Sequence, residues 1–289
     1  MISKPKKEYM AKEILVQKAS GITEPFSIEK LRYSLSKSKA SQEEVNSIID
    51  ALLPRLYQGI STNKIYSEAF RLLRSRSKSH AARYYLKKGI MELGPSGYPF
   101  EKFIGEIFKH QGYTVEVGII LEGKCVSHEV DVVGKKENEL ILVECKYHNQ
   151  AGISVDVKTP LYIHSRFEDI LANGALKKKG AVFTGWIATN SKFTSDAIDY
   201  GNCKNLKLLS WNYPTHKSLR DIIDKLRLYP LTCLTSLTRQ EKQWLLAKNY
   251  VLVKDVYNDK ATLKSAGVSD ARLKAVYEEG EKLCDGNGI

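Results

Sequence analysis

The sequence predicts a multidomain α+β protein: a helical N-terminal domain over 1–94, an α/β domain over 95–215 and a small helical domain over 216–289. Three observations carry this. Up to Leu93, apolar residues recur at spacings of three and four. The stretch Leu93–Pro99 (LGPSGYP) then holds two Gly and two Pro in seven residues, the composition of a linker. Beyond it come a helix, several strands and an alternation of helix and strand, and from about Thr235 the pattern is helical again.

In chain order, SIEKLRYSLSKS, QEEVNSIIDALLPRLY and NKIYSEAFRLLRSR read as amphipathic helices, with Ser27, Ser41 and Thr62 placed as N-caps. PFEKFIGEIFKHQG sets Phe100, Phe103, Ile104, Ile107 and Phe108 on one stripe and stops at Gly112. YTVEVGIIL and the stretch from Cys125 to Val133 read as strands around a Gly-containing turn at Glu122–Lys124. ELILVECK is apolar on both faces, the mark of a strand at the centre of a sheet. A helix near Leu161–Ala172, a strand at Ala181–Ala188, a helix at Ser191–Tyr200 and a strand at Leu206–Trp211 complete the domain.

Of 289 residues, 45 are Lys or Arg and 33 are Asp or Glu, a net charge of +12. The surplus is uneven. Residues 1–95 carry 18 basic and 9 acidic residues, 96–215 carry 14 of each, and 216–289 carry 13 and 10. Such a balance points to a polyanionic partner, nucleic acid or nucleotide phosphate, although a run such as Lys177–Lys179 reads as a solvated face. With 43% hydrophobic residues the chain is too apolar for disorder. No apolar run reaches the length of about 18 residues that a membrane span needs. The opening MISKPKKEYMAKEILVQK has no apolar core and reads as no secretory signal. Cys125, Cys145, Cys203, Cys233 and Cys284 never form a C-x-x-C pair. Their scatter argues against a disulfide scaffold or thiolate zinc site, and for a cytoplasmic location.

The densest chemistry lies in HEVDVVGKKENELILVECKYH. Asp131 stands in one strand and Glu144 in the next, joined by the polar turn KKEN. Glu144 and Lys146 are two apart and share a face, with Cys145 on the other. A hairpin brings two carboxylates and an ammonium to one spot. Asp131, Glu144 and the backbone carbonyl of Cys145 then form an oxygen-rich half-cage suited to Mg²⁺ or Mn²⁺. Such an ion polarises a phosphodiester and lowers the pKa of water, while Lys146 stabilises developing charge. Glu101, bordering the apolar stripe of the preceding helix, is a fourth member. The competing reading is a cross-strand ion pair at a strand end. The unbroken run Leu140–Val143 weakens it, because it puts the polar trio at the edge of a buried sheet. His128 reads as a strand-edge histidine rather than a second metal ligand.

GYPFEKFIGEIFKHQGYTVEV, EVDVVG and LILVECKYH together resemble the Mrr-type branch of the PD-(D/E)XK nucleases, over roughly residues 95–212. The pattern is G-x-x-F-E on a first helix, a Gly-Tyr turn, a strand Asp and a (Q/E)-x-K strand. The resemblance implies a restriction-endonuclease-like domain with a mixed central sheet flanked by helices. It implies Asp131 and Glu144 as metal ligands, Lys146 as the catalytic lysine and Glu101 as the helix acid. Val130 stands where many relatives have Gly, and His148, Asn149 or Gln150 stands in for the Gln that often follows the lysine.

VQKASGITEPFSIEKLRYSL, GISTNKIYSEAF and AARYYLKKG resemble the ATP-cone, an allosteric nucleotide-binding module of ribonucleotide reductases and of a repressor of their genes. The resemblance spans roughly Ile14–Leu93. Where the module's first motif reads V-x-K-R-D-G, Val16, Lys18 and Gly21 match, and Ala19 and Ser20 replace the second base and the acid. Glu24, Phe26, Lys30 and Leu31 fit the next segment, Thr62 and Tyr66 a later one, and Lys87 or Lys88 the final base. The resemblance implies ATP or dATP as ligand. Lys18 and Lys30 offer charge to a triphosphate, Thr62 a hydroxyl, and Val16 and Leu31 a wall for the base. A basic helical domain that binds DNA directly is the alternative.

Two helical stretches flank Ala266-Gly267-Val268-Ser269, which faintly resembles a helix-hairpin-helix turn offering N–H groups to a phosphate. A packing or dimerisation bundle fits equally well. Gly118–Cys125 is one residue short of a P-loop, but Cys125 replaces the Mg²⁺-binding hydroxyl and Ile119–Leu121 are strand formers, so none is read. The sequence therefore predicts a cytoplasmic, Mg²⁺-dependent endonuclease of restriction type, acting on double-stranded DNA and regulated by ATP or dATP. A homodimer or higher oligomer is left open. The alternative is a nucleotide-sensing DNA-binding regulator whose nuclease fold binds without cutting. A reductase is excluded because the chain is too short for the catalytic barrel, and a reductase-gene repressor because the cysteine spacing provides no zinc ribbon.

Overall fold

The computed structural model describes residues 14–18, 20–175 and 182–285; Ala19 and the Lys177–Lys179 run lie outside the described residues. The chain divides into two compact units, Met1–Tyr84 and Tyr85–Ile289.

In the first unit, β1 (Leu15–Gln17) and β2 (Thr23–Pro25) form an antiparallel pair. It turns through Gly21, whose φ of 82° suits a residue without Cβ. β3 (Ile60–Ser61) lies parallel to β1, with Val16 opposite Ile60. Helices α1 (Ile28–Ser36), α2 (Gln42–Leu52) and α3 (Thr62–Arg76) bury Leu35, Ile48, Leu52 and Leu73 in one core with Val16 and Ile60. Ser27 and Ser41 cap α1 and α2 as expected, accepting from the N–H groups of Lys30 and Glu44. The α3 cap is corrected by one residue: Ser61 is extended and accepts from the Lys64 N–H, whereas Thr62 is already helical. The expectation of a purely helical domain misses the small sheet, because strands this short carry too few residues for alternation to register.

Helix α4 (Lys78–Met91) runs through the boundary at Tyr84, so the division falls ahead of the Gly- and Pro-rich stretch at 93–99. Ala81 and Tyr84 belong to the first core, while Leu86, Ile90 and Leu93 are buried residues of the second unit.

The second unit continues with α5 (Tyr98–Lys109), β4 (Thr114–Glu122), β5 (Ser127–Lys136), β6 (Glu139–Lys146), β7 (Ser154–Val155), α6 (Lys158–Asn173), β8 (Val182–Thr189), β9 (Lys192–Phe193), α7 (Ser195–Cys203) and β10 (Lys207–Leu209). Five of these strands form a mixed sheet in the order β10-β8-β6-β5-β4. β4, β5 and β6 are antiparallel, and β6, β8 and β10 are parallel. The stripe read on α5 is buried as expected, and Phe108 meets Trp186 edge-on at 5.4 Å. One residue earlier, Gly185 faces the opposite side, where a Cβ would come within 2.8 Å of the Phe167 ring on α6. Successive strand residues point to opposite faces, so α5 and α6 cover the two sides of the sheet. β6, buried along nearly its whole length, is its centre.

Asp169 on α6 pins the β4–β5 turn. It accepts from the Cys125 and Val126 N–H groups at 2.9 and 3.3 Å and lies 2.8 Å from His128 Nε2. Its carboxyl is held far below the usual range, first by the His128 contact and then by the turn donors. A carboxylate whose pKa folding lowers stabilises the native state above its unfolded pKa, roughly pH 4, and loses that contribution as pH falls further. Asp169→Asn is therefore expected to melt below wild type at neutral pH, with the gap closing below about pH 4. Scanning fluorimetry across that range checks it; a gap independent of pH would remove the charge from the account.

The C-terminal helices α8 (Leu219–Leu226), α9 (Arg239–Ala247), α10 (Lys260–Ser265) and α11 (Asp270–Cys284) belong to the same compact unit as the sheet. Thr232 Oγ1 donates to the Gly89 carbonyl at 2.7 Å. Glu279, only 2% exposed, accepts from the Thr235 and Ser236 N–H groups. Gly267 closes the α10–α11 turn at φ 96°, but its N–H donates to the Lys264 carbonyl at 2.9 Å and is spent there. No helix among the described residues is long and apolar enough to cross a membrane.

Candidate functional site

The β5–β6 ladder ends at the pair Val132–Val143. One step further out, in the same register, Asp131 stands opposite Glu144. There the strands part, and the Asp131 carboxylate replaces a ladder acceptor by taking the Cys145 N–H at 2.6 Å. A strand residue sends its N–H and C=O to the same edge, so the Cys145 carbonyl is directed toward Asp131 as well. Glu144 is 4% exposed. Its Oε1 accepts from Lys146 Nζ at 2.6 Å and its Oε2 from Arg166 Nη1 at 2.9 Å. Arg166 projects from α6 and also donates to the Glu129 carbonyl.

The hairpin thus brings Asp131, Glu144 and Lys146 together, as expected. Burial, then the Glu144 charge, pushes the Asp131 carboxyl up to about 6. Glu101, in the first turn of α5, is raised to about 7 by burial and then by the charges of Asp131, Glu129 and Glu144. At both carboxyls burial is the first cause, with the neighbouring acids adding to it and Lys146 opposing it. His128 is held by Asp169, away from this group. The Cys145 thiol is buried and its pKa lies well above the usual thiol value, so only its backbone oxygen is a candidate ligand.

Among the described residues no three His, Cys, Asp or Glu side chains gather as a metal site. A cation would rest on two carboxylates and a backbone oxygen. That donor set fits Mg²⁺, which keeps several waters and takes few protein ligands.

Arg166 escaped the sequence reading. No spacing rule points to it, because it enters from a different element. The one available signal was composition: it is the sole arginine between Arg83 and Arg220.

The first unit holds a cavity of about 330 Å³ that gathers Val16, Glu24, Lys30, Leu31, Thr62 and Tyr66. Tyr66 stacks on Tyr84 at 4.8 Å along one wall. Glu24 pairs with Lys18 at 2.5 Å and with Lys30 at 3.2 Å, and these two contacts hold its carboxyl below the usual range. Gly21 shapes the adjoining turn rather than lining the cavity. Lys87 belongs to the second unit and lines a cavity there.

Residues 94–212 match the family described as restriction endonuclease, Mrr_cat, and residues 229–284 match AF1548-like, C-terminal. An uncharacterized protein of Archaeoglobus fulgidus is 28% identical over 181 residues, 62% of this chain and 99% of that one. The crystal structure of AF1548, a protein of unknown function, is 27% identical and superposes on 66% of this chain and all of its own with a TM-score of 0.54. The MspJI restriction endonuclease bound to a 27-mer oligonucleotide is 11% identical, covering 83% of this chain and 45% of that one, with a TM-score of 0.32. The match with Mrr_cat, the mixed sheet and the Asp131–Glu144–Lys146 cluster agree: residues 94–212 form a restriction endonuclease-like domain of the PD-(D/E)XK type.

Proposed function

We propose that the second unit is a divalent-cation-dependent DNA endonuclease of restriction type, and that the first unit binds ATP or dATP and regulates it. The observation that carries this reading is the meeting of Asp131, Glu144 and Lys146 where β5 and β6 part, within the residues that match the restriction endonuclease family. Mg²⁺ or Mn²⁺ held by Asp131, Glu144 and the Cys145 carbonyl would supply Lewis acidity to a phosphodiester and to water beside it. Lys146 brings an ammonium to the negative charge that develops on the phosphate. The Cys145 N–H and Arg166 fix the two carboxylates before substrate arrives. A net charge of +12 supports a polyanionic substrate. In the first unit, an apolar wall of Val16, Leu31 and Tyr66 beside Lys30 and Thr62 suits a base and its phosphates, which would draw Lys18 and Lys30 from Glu24.

Incubating the full chain with supercoiled plasmid, Mg²⁺ and each nucleotide tests the reading. Nicking whose rate ATP or dATP changes is expected; intact plasmid under every condition would overturn it. Arg166 is a positioning residue in this account. Arg166→Ala is expected to raise the Mg²⁺ concentration for half-maximal nicking roughly tenfold, with partial rescue by Arg166→Lys. An unchanged Mg²⁺ dependence would confine Arg166 to the fold.

A further inference from the structure

β6 and β8 are parallel neighbours in the sheet, and the crevice beyond the carboxyl ends of such strands is where open α/β sheets take ligands. The chain leaves β6 through His148 and Gln150 and leaves β8 through Asn190 and Ser191. With Lys87 and Lys192 these residues line a cavity of about 260 Å³. Its frame is fixed. The His148 N–H donates to Asn190 Oδ1 at 2.9 Å, and Asn190 Nδ2 donates back to the His148 carbonyl at 2.7 Å. Ser191 Oγ lies 3.0 Å from His148 Nδ1.

The charge in this cavity has one sign. Among the described residues no Asp or Glu lines it. Lys87 and Lys192 form no ion pair among the described residues. Lys87 is an exposed residue whose ammonium is held below its ordinary value by desolvation and then by the neighbouring Lys192 and Arg220, and burial followed by Lys146 lowers His148. Cations gathered on a polar frame without a counter-charge favour an anion. His148 stands two residues beyond Lys146, which sets the cavity beside the catalytic strand.

We propose that this cavity is a phosphate subsite, in which Lys87, Lys192 and the Ser191 hydroxyl hold a phosphate neighbouring the scissile one. The charge pattern supports phosphate by itself; that the phosphate belongs to a DNA strand rests on the nuclease reading.

The test uses the full chain in EDTA, so that nothing is cut, with a fluorescent duplex followed by anisotropy at several salt concentrations. The double substitution Lys87→Ala/Lys192→Ala is expected to weaken binding about tenfold and to lower the salt slope by about one. Lys88→Ala, a neighbour outside the cavity lining, should do less, and Lys87→Arg/Lys192→Arg should retain the affinity if the alanine variant proves misfolded. Unchanged affinity and slope in a folded alanine variant would overturn the proposal. Displacement of the duplex by inorganic phosphate or dAMP, beyond the effect of matched NaCl and lost in the alanine variant, would support the subsite with a free phosphate as occupant. Because binding is read without metal, a wild type that never cuts DNA would overturn the nuclease reading and leave this result standing.

Discussion

Lys146→Ala is expected to slow Mg²⁺-dependent plasmid cleavage by about a hundredfold or more, while duplex affinity measured in EDTA stays within a few-fold of wild type. The side chain sits 2.6 Å from Glu144 and is partly open to solvent, so it can reach a phosphate placed against the two carboxylates. Its removal leaves Asp131 with the Cys145 N–H and Glu144 with Arg166. The fold and the carboxylate geometry should therefore persist, and the loss should appear in the rate rather than in binding. Single-turnover kinetics at saturating Mg²⁺ separate the two. Wild-type rates from Lys146→Ala would remove it from the chemistry and leave its contact with Glu144 as an ion pair between two residues of β6.

Lys30→Ala is expected to weaken ATP or dATP binding to the full chain about tenfold or more, as loss of a charge-assisted contact to phosphate should. Lys30 lines the cavity of the first unit and shares Glu24 with Lys18. Isothermal titration of wild type and variant with each nucleotide reads this directly. If neither nucleotide binds wild type at millimolar concentration, the replacements at Ala19 and Ser20 have disabled the cavity. The basic surface of the first unit is then better assigned to DNA.

The sequence made β5 and β6 legible because local rules determine them. Alternation placed Glu144 and Lys146 on one face, and the turn, expected over KKEN and observed at Glu137 and Asn138 alone, returns the chain so that Asp131 stands beside them. The five apolar residues of α5 had a single face to bury, and they bury it. What failed to show depends on chain segments meeting from a distance. Arg166 reaches Glu144 from α6, and no spacing encodes that contact. The stretch at 93–99 reads in the sequence as a linker between domains, whereas the two compact units divide at Tyr84, and Tyr147 donates to the Met91 carbonyl and Thr232 to Gly89 within the second unit. At Ala266–Ser269 the sequence leaves a phosphate-binding turn and a packing bundle equally open, and the Gly267 N–H itself donates to the Lys264 carbonyl. In the first unit, Val16, Glu24, Lys30, Leu31, Thr62 and Tyr66, named from motif resemblance, line one cavity, and Lys87 lines a cavity of the second unit.

The rate of plasmid nicking as a function of Mg²⁺ concentration, compared between wild type and Asp131→Ala, tests the central claim most directly. The account predicts a saturable rise for wild type and a flat baseline for the variant, since one of two carboxylate ligands is gone. Superimposable curves, or a wild type that binds the duplex yet stays flat at every Mg²⁺ concentration, would contradict it.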